Sequence, residues 1–157
     1  MITKGMIAPE FSLYDTSKKL VKLSDFREKK NVLLLFFPLA FTSTCTAELC
    51  SVHDNIFTSS NDHTEVFGIS VDSVYSLAAY KEKYNLSYTL LSDFNKVASK
   101  DYDVLYSFFL KMQLEGVSKR AAFVIDKSGI IQYSEVLENA NDTPDFSLIE
   151  NVIQFNR

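Results

Sequence analysis

The sequence predicts a three-layer α/β/α fold around a central mixed sheet, in a single domain over residues 1–157. Three observations predict it. The apolar run Asn31-Val-Leu-Leu-Leu-Phe-Phe37 is short and does not alternate, as in a strand buried on both faces. A second such run, Glu65-Val-Phe-Gly-Ile-Ser-Val71, follows after a stretch with helical spacing. Later, Ala121–Asp126 and Ile130–Val136 flank Asp126-Lys-Ser-Gly129, a hairpin signal in which Gly129 is free to take positive φ.

The other elements follow in chain order. Residues 8–26 read as short extended pieces, Phe11–Leu13 and Leu20–Leu23, around a polar turn at Asp15–Lys19. Pro38 ends the first buried strand. A helix is expected over 44–59, with Leu49, Val52, Ile56 and Phe57 on one stripe. Asp72 and Ser73 are good caps for a helix to about residue 84, whose stripe is Val74, Leu77, Ala78 and Tyr84. A short strand at 88–91, a short helix near 95–102 and a last helix over 145–155, with Pro144 at its start, complete the chain. Right-handed crossovers make the first strands parallel, and the hairpin adds antiparallel ones. This order is compatible with a thioredoxin-like core.

Composition narrows the function classes. A chain of 157 residues, 46% of them hydrophobic, can bury a core without disulfide staples. A net charge of −4 argues against a nucleic-acid or anionic-membrane partner, since both reward a basic face. The longest apolar run, Val32–Phe41, contains a proline and falls short of the roughly 20 residues that span a bilayer. The N-terminal stretch lacks the apolar core of a signal peptide, so a soluble, cytoplasmic protein is expected. In a reducing compartment, a lone cysteine pair, Cys45 and Cys50, points to redox, catalytic or metal chemistry more than to a structural bridge.

The segment Pro38-Leu-Ala-Phe-Thr42-Ser-Thr44-Cys45-Thr-Ala-Glu48-Leu-Cys50 leaves a buried strand and enters a helix. Cys45 falls in the helix's first turn, where backbone N–H groups lack partners and the helix dipole favours negative charge. Cysteines so placed tend towards the thiolate, which is the nucleophile. Cys45 is therefore either a small buried apolar residue, as cysteines commonly are, or a reactive thiol. Thr42 is either a helix cap or a hydroxyl aimed at the sulfur or its substrate. Only three of the sixteen basic residues are arginines, and one, Arg120, directly precedes a core strand. It is either a solvated strand end or a cation that needs a buried partner. Glu48 is either a first-turn acid that complements the dipole or a partner for that arginine.

Pro38-x-x-x-Thr42-x-x-Cys45 resembles the active-site pattern of the peroxiredoxin (AhpC/TSA) family. Arg120 followed by Ala-Ala-Phe-Val-Ile-Asp126 is similar to that family's arginine and the strand after it. Ala8-Pro9-Glu10-Phe11-Ser12-Leu13 resembles its opening stretch. The resemblance covers nearly the whole chain in order. It implies a thioredoxin-like fold and a thiol-dependent peroxidase that reduces hydrogen peroxide and organic hydroperoxides through a sulfenic acid. It implies that Cys45 is the peroxidatic cysteine and that Thr42 and the N–H groups of Thr44 and Cys45 hold the peroxide. Arg120 would stabilise the thiolate and the developing charge, Glu48 would orient Arg120, and Pro38 would shield the sulfur from water. It implies no metal and no cofactor, a thioredoxin or glutaredoxin-like reductant, and a monomer or homodimer.

Cys50 follows Cys45 by five residues. On a helix that is about 140° of rotation and places the Cα atoms about 8.7 Å apart, beyond the roughly 7 Å reach of a disulfide. A bond between them requires the helix's first turns to unwind. Cys45-Thr-x-Glu48-x-Cys50 resembles the bacterioferritin-comigratory (PrxQ) class, whose resolving cysteine sits at this offset. Phe36-Phe-Pro-Leu-Ala-Phe-Thr42 resembles the one-cysteine alkyl hydroperoxide reductase E class, and Ser43-Thr44 stands where the first class has Pro-Gly. Either Cys50 resolves the sulfenic acid, or an external thiol does, in an enzyme or a redox sensor. Two other readings fit less. A disulfide reductase of the thioredoxin type would want Cys-x-x-Cys. A metal module would draw on Cys45, Cys50 and His53, which do not share a helical face.

Overall fold

A computed structural model describes residues 1–53 and 61–157. β1 (Ser12–Asp15) and β2 (Leu20–Lys22) form a hairpin. Its polar turn closes on the Asp15 carboxylate, which accepts from the N–H groups of Ser17 and Lys19 at 2.8 and 2.9 Å. A 3-10 turn over Leu23–Phe26 leads to β3 (Asn31–Phe36), buried at every position. There follow α1 (Ser43–His53), β4 (Thr64–Ser70), α2 (Val74–Tyr84), β5 (Thr89–Ser92) and α3 (Val97–Asp101). β6 (Arg120–Ile125), β7 (Ile131–Leu137) and α4 (Phe146–Phe155) complete the order.

The seven strands form one mixed sheet in the order β2-β1-β5-β4-β3-β6-β7. β3, β4 and β5 run parallel, as expected for strands joined by helices; the two hairpins pair antiparallel. Gly129 turns the second hairpin at φ 83°, a backbone conformation that suits glycine. Joining the β1–β2 hairpin to the sheet through β5 is not legible in the local pattern, because it pairs residues far apart, Tyr14 with Ser92.

Alternation along β3 sends side chains to two cores. On one face Leu33, Leu35 and Phe37 meet Leu49 of α1, Leu77 and Tyr80 of α2, and Ile149 and Ile153 of α4. On the other, Val32, Leu34 and Phe36 meet Ala98 of α3, Tyr102 and the N-terminal residues Ile2, Ala8 and Phe11. The third layer is thus thin, a five-residue helix helped by the N-terminal segment. Among the described residues no helix is long and apolar enough to cross a membrane.

One helix departs from expectation, and only part of another falls on described residues. The far end of the helix expected over 44–59 falls on residues 54–60, which with the side chains of Val52 and His53 lie outside the described residues. In α2 the fully buried positions are Leu77 and Tyr80, while Val74, Ala78 and Tyr84 are half-buried. A tyrosine can lie that deep because its hydroxyl has a partner, Thr46 at 2.9 Å.

The sheet also delivers the site. β3 ends at Phe36, and the chain passes through Pro38 into α1. β6 runs antiparallel to β3 with Ala121 opposite Phe36, so Arg120 starts its strand beside the place where β3 releases the chain.

Candidate active site

Cys45 is the third residue of α1 and only 1% exposed. The Thr46 N–H donates to the Thr42 carbonyl at 3.0 Å, which opens the helix's hydrogen-bond ladder. The N–H groups of Thr44 and Cys45 come before that bond, in the set a helix start leaves without internal partners. Sulfur and donors therefore share one turn.

Arg120 supplies the cation. Its Nη2 donates to Cys45 Sγ at 3.1 Å and to the Ala140 carbonyl at 3.1 Å. Its Nη1 donates to Glu48 Oε2 in a close ion pair. Glu48 lies one turn after Cys45 on the same helical face, so one planar guanidinium reaches both. Arg120 and Glu48 are 1% and 2% exposed, which excludes the solvated strand end as a description of Arg120. Glu48 Oε1 and Arg120 Nε have no hydrogen-bond partner among the described residues. The site thus carries polar capacity that its own side chains do not saturate.

Burial pushes the Glu48 carboxyl up from 4.5 to about 7, with the charge and hydrogen bond of Arg120 pulling the other way. For Arg120 burial acts downwards, but Glu48 and Cys45 outweigh it and hold the guanidinium charged. A carboxyl raised on folding contributes stability that is complete below its unfolded value and is lost as pH rises through the folded one. As pH rises through the range in which Glu48 ionises, the folded protein should therefore lose stability relative to a Glu48→Gln variant. Denaturant unfolding of both proteins across that range checks this, and parallel pH curves would refute it.

The loop before α1 is held by its own hydrogen bonds. Pro38 is buried directly after β3. The Thr42 hydroxyl donates to the Leu39 carbonyl at 2.9 Å, not to the sulfur. This leaves its oxygen lone pairs available to accept from an incoming O–H. Asp72, read from sequence as a cap of α2, does different work. Its carboxylate accepts from the Ala40 N–H at 2.8 Å and the Ser70 hydroxyl at 2.7 Å, pinning the loop to the end of β4. The cap of α2 is Ser73 alone, accepting from the Ser76 N–H.

The structure brings Cys45 and Glu48 onto Arg120, with Thr42, Thr44 and Pro38 in the loop and turn that lead to them. Cys50 is half-buried on the same helix and packs against the core that holds Leu49. Neither cysteine is in a disulfide. Sequence reasoning missed the Ala140 carbonyl, a backbone group with no residue signature, and Tyr80, whose only signal was its place on α2. Chemically, the arrangement sets a cationic donor against the sulfur at the start of a helix, and suits a reaction in which negative charge builds on an oxygen beside it.

A model of the AhpC/TSA family matches residues 5–134. The chain is 36% identical to alkyl hydroperoxide reductase E of Mycobacterium tuberculosis over 87% of this chain and 86% of that protein. Among solved structures, the reduced 2-Cys peroxiredoxin of Plasmodium vivax superposes with a TM-score of 0.80 at 32% identity, covering 97% of this chain and 95% of that one. Peroxidoxin BcpB of Mycobacterium tuberculosis superposes with a TM-score of 0.84 at 27% identity, covering 100% and 99%.

Proposed function

Because the chain belongs to the AhpC/TSA family and is a thiol-dependent peroxidase, we propose that Cys45 is its peroxidatic nucleophile and Cys50 its resolving thiol. The observation that carries this reading is the Arg120 N–H donated to Cys45 Sγ at 3.1 Å, in a helix's first turn and out of water. The Cys45 thiolate attacks the outer peroxide oxygen. An S–O bond forms, the O–O bond breaks, and the leaving oxygen takes a proton and departs as water or alcohol. Sulfur is left as a sulfenic acid, oxidised by two electrons. Arg120 and the N–H groups of Thr44 and Cys45 face the charge that develops, Thr42 receives the peroxide O–H, Glu48 holds the guanidinium in place, and Pro38 keeps water off the sulfur.

Cys50 then attacks the sulfenic sulfur, forming the disulfide as hydroxide leaves and is protonated to water. α1 is intact in the structure and carries both cysteines, so this step needs its first turns to unwind. A thiol reductant closes the cycle. We assign that role to thioredoxin or a glutaredoxin-like protein in the cytoplasm, acting on a monomer or homodimer, since two cysteines in a reducing compartment are best used reversibly. Hydrogen peroxide and organic hydroperoxides both fit the proposed step, which uses only the O–O bond.

Mass spectrometry after one equivalent of peroxide tests the resolving step. The expected product is a Cys45–Cys50 disulfide, lighter than the reduced protein by two hydrogens. A persistent sulfenic acid, or a mixed disulfide with added thiol and no internal bond, rejects Cys50 as the resolving residue. Cys50→Ser is expected to keep the peroxide step and to stop at the Cys45 sulfenic acid when no external thiol is added.

A further inference from the structure

Two tyrosine hydroxyls from outside α1 hold that helix. Tyr80 of α2 donates to Thr46 Oγ1 at 2.9 Å, and Tyr88, just before β5, donates to the Leu49 carbonyl at 2.9 Å. Both rings are buried. Thr46 directly follows Cys45 and Leu49 directly precedes Cys50, so the two bonds bracket the stretch that must unwind for the cysteines to meet. They differ in kind. Tyr88 holds a backbone carbonyl, which any residue at position 49 would offer. Tyr80 holds a side-chain hydroxyl, which only a few residue types at position 46 supply.

Tyr80 reaches the start of the turn as well. Its ring packs on Phe41 at 4.9 Å between centroids. Phe41 sits at φ 69°, a left-handed conformation uncommon for a bulky residue, and the Lys83 ammonium lies over its ring at 5.8 Å. A backbone so placed persists where its surroundings hold it, and Tyr80 is a main part of those surroundings. Burial also raises the Tyr80 hydroxyl's pKa, so it stays a donor across the physiological range.

We propose that Tyr80 is a positioning residue that latches the first turn of α1 through Thr46 and Phe41, and thereby sets how fast the Cys45 sulfenic acid reaches Cys50. The proposal rests on the reading that Cys50 resolves. Tyr88 anchors the helix beyond the turn and confines the unwinding to the residues between the cysteines. The latch acts at a branch. In the unwound state Cys50 attacks the sulfenic sulfur and water leaves. In the wound state the sulfenic acid can meet a second peroxide, gaining an oxygen to become a sulfinic acid as that O–O bond breaks and water or alcohol departs. A bond made only in the wound state favours the second outcome.

Tyr80→Phe removes the hydroxyl and keeps the ring. One neutral hydrogen bond lost from the wound state corresponds to about a 2–10-fold shift towards unwinding. Disulfide formation, followed by rapid quench and mass spectrometry after a peroxide pulse, is expected to quicken by about that factor. Sulfinic acid at high peroxide is expected to fall in step, with the peroxide step itself changed less than about twofold. Thr46→Val should match Tyr80→Phe, the double variant should go no further than either single one, and Thr46→Ser should restore the native rate. Because Thr46 is half-exposed, Thr46→Val carries the test if Tyr80→Phe fails to fold. If the native protein forms the disulfide but neither variant alters its rate, or if the two effects add, the latch is overturned and the resolving step stands. If the native protein forms no internal disulfide, both fall.

Discussion

Cys45→Ser should lose essentially all peroxide turnover and keep the fold. Serine is nearly the shape of cysteine, and its oxygen can still accept from Arg120 Nη2, which reaches the sulfur at 3.1 Å in the native protein. The helix start, the Glu48–Arg120 pair and the Ala140 contact all survive, so unfolding should change little. The chemistry does not survive. An alcohol gives up its proton far less readily than a thiol and has no route to a sulfenic acid, so the positioned donors have no reaction to assist. Removing a nucleophile from a group that works as a unit costs on the order of 10³-fold or more. Peroxide consumption with a saturating dithiol checks this, beside circular dichroism to show the fold. Turnover at a tenth of the native rate would remove Cys45 from the proposed mechanism.

Arg120→Met should affect both activity and stability. Arg120 donates to the sulfur, to Glu48 and to the Ala140 carbonyl from one rigid plane. Without it the developing charge loses its cationic donor, and kcat/KM for peroxide should fall by about 10²–10³. Glu48 is left buried without its partner, and breaking such a pair typically costs about 3–5 kcal/mol. Arg120→Lys should recover little, since an ammonium is a point charge that cannot serve three acceptors in a plane. The informative variant is Arg120→Met with Glu48→Leu. Replacing both charges by apolar groups should return much of the stability, while activity stays low. If the double variant regains activity together with stability, Arg120 is structural and its catalytic assignment fails. Stopped-flow peroxide kinetics and denaturant unfolding on the same preparations separate the outcomes.

These expectations depend differently on sequence and on structure. The buried strands were legible because a strand covered on both faces must be apolar along its length, as β3 is. The second hairpin was legible because its turn needs a residue tolerant of positive φ, and Gly129 is there. The place of Cys45 in a helix's first turn followed from a proline-ended strand running into a helical stripe. Glu48 was legible as a candidate partner, but its alternative, a surface acid complementing the dipole, was equally consistent with its position.

The residues that escaped sequence reasoning share a property: their roles are set by what lies across space. Asp72 looks like a helix cap to any local rule, yet its carboxylate is spent on the Ala40 N–H, 32 residues away. Tyr80 is one aromatic among several on α2, and it stands apart only because Thr46, 34 residues away, receives its hydroxyl. Thr42 could be given a hydroxyl bond to sulfur or to backbone on sequence grounds, and the Leu39 carbonyl takes it.

By itself, then, the sequence determined that Cys45 opens a helix behind a buried strand, that Cys50 cannot reach it along an intact helix, and that an arginine directly precedes a core strand. These are consequences of local periodicity and helix geometry, which act over a few residues. Only the tertiary structure decided that Arg120 is buried and turned onto Cys45 and Glu48, which are 75 and 72 residues away along the chain. The physical reason is the antiparallel register of β6 against β3. It lays Ala121 opposite Phe36 and so starts β6 beside the chain that enters α1, a pairing of distant strands that no short window of sequence contains.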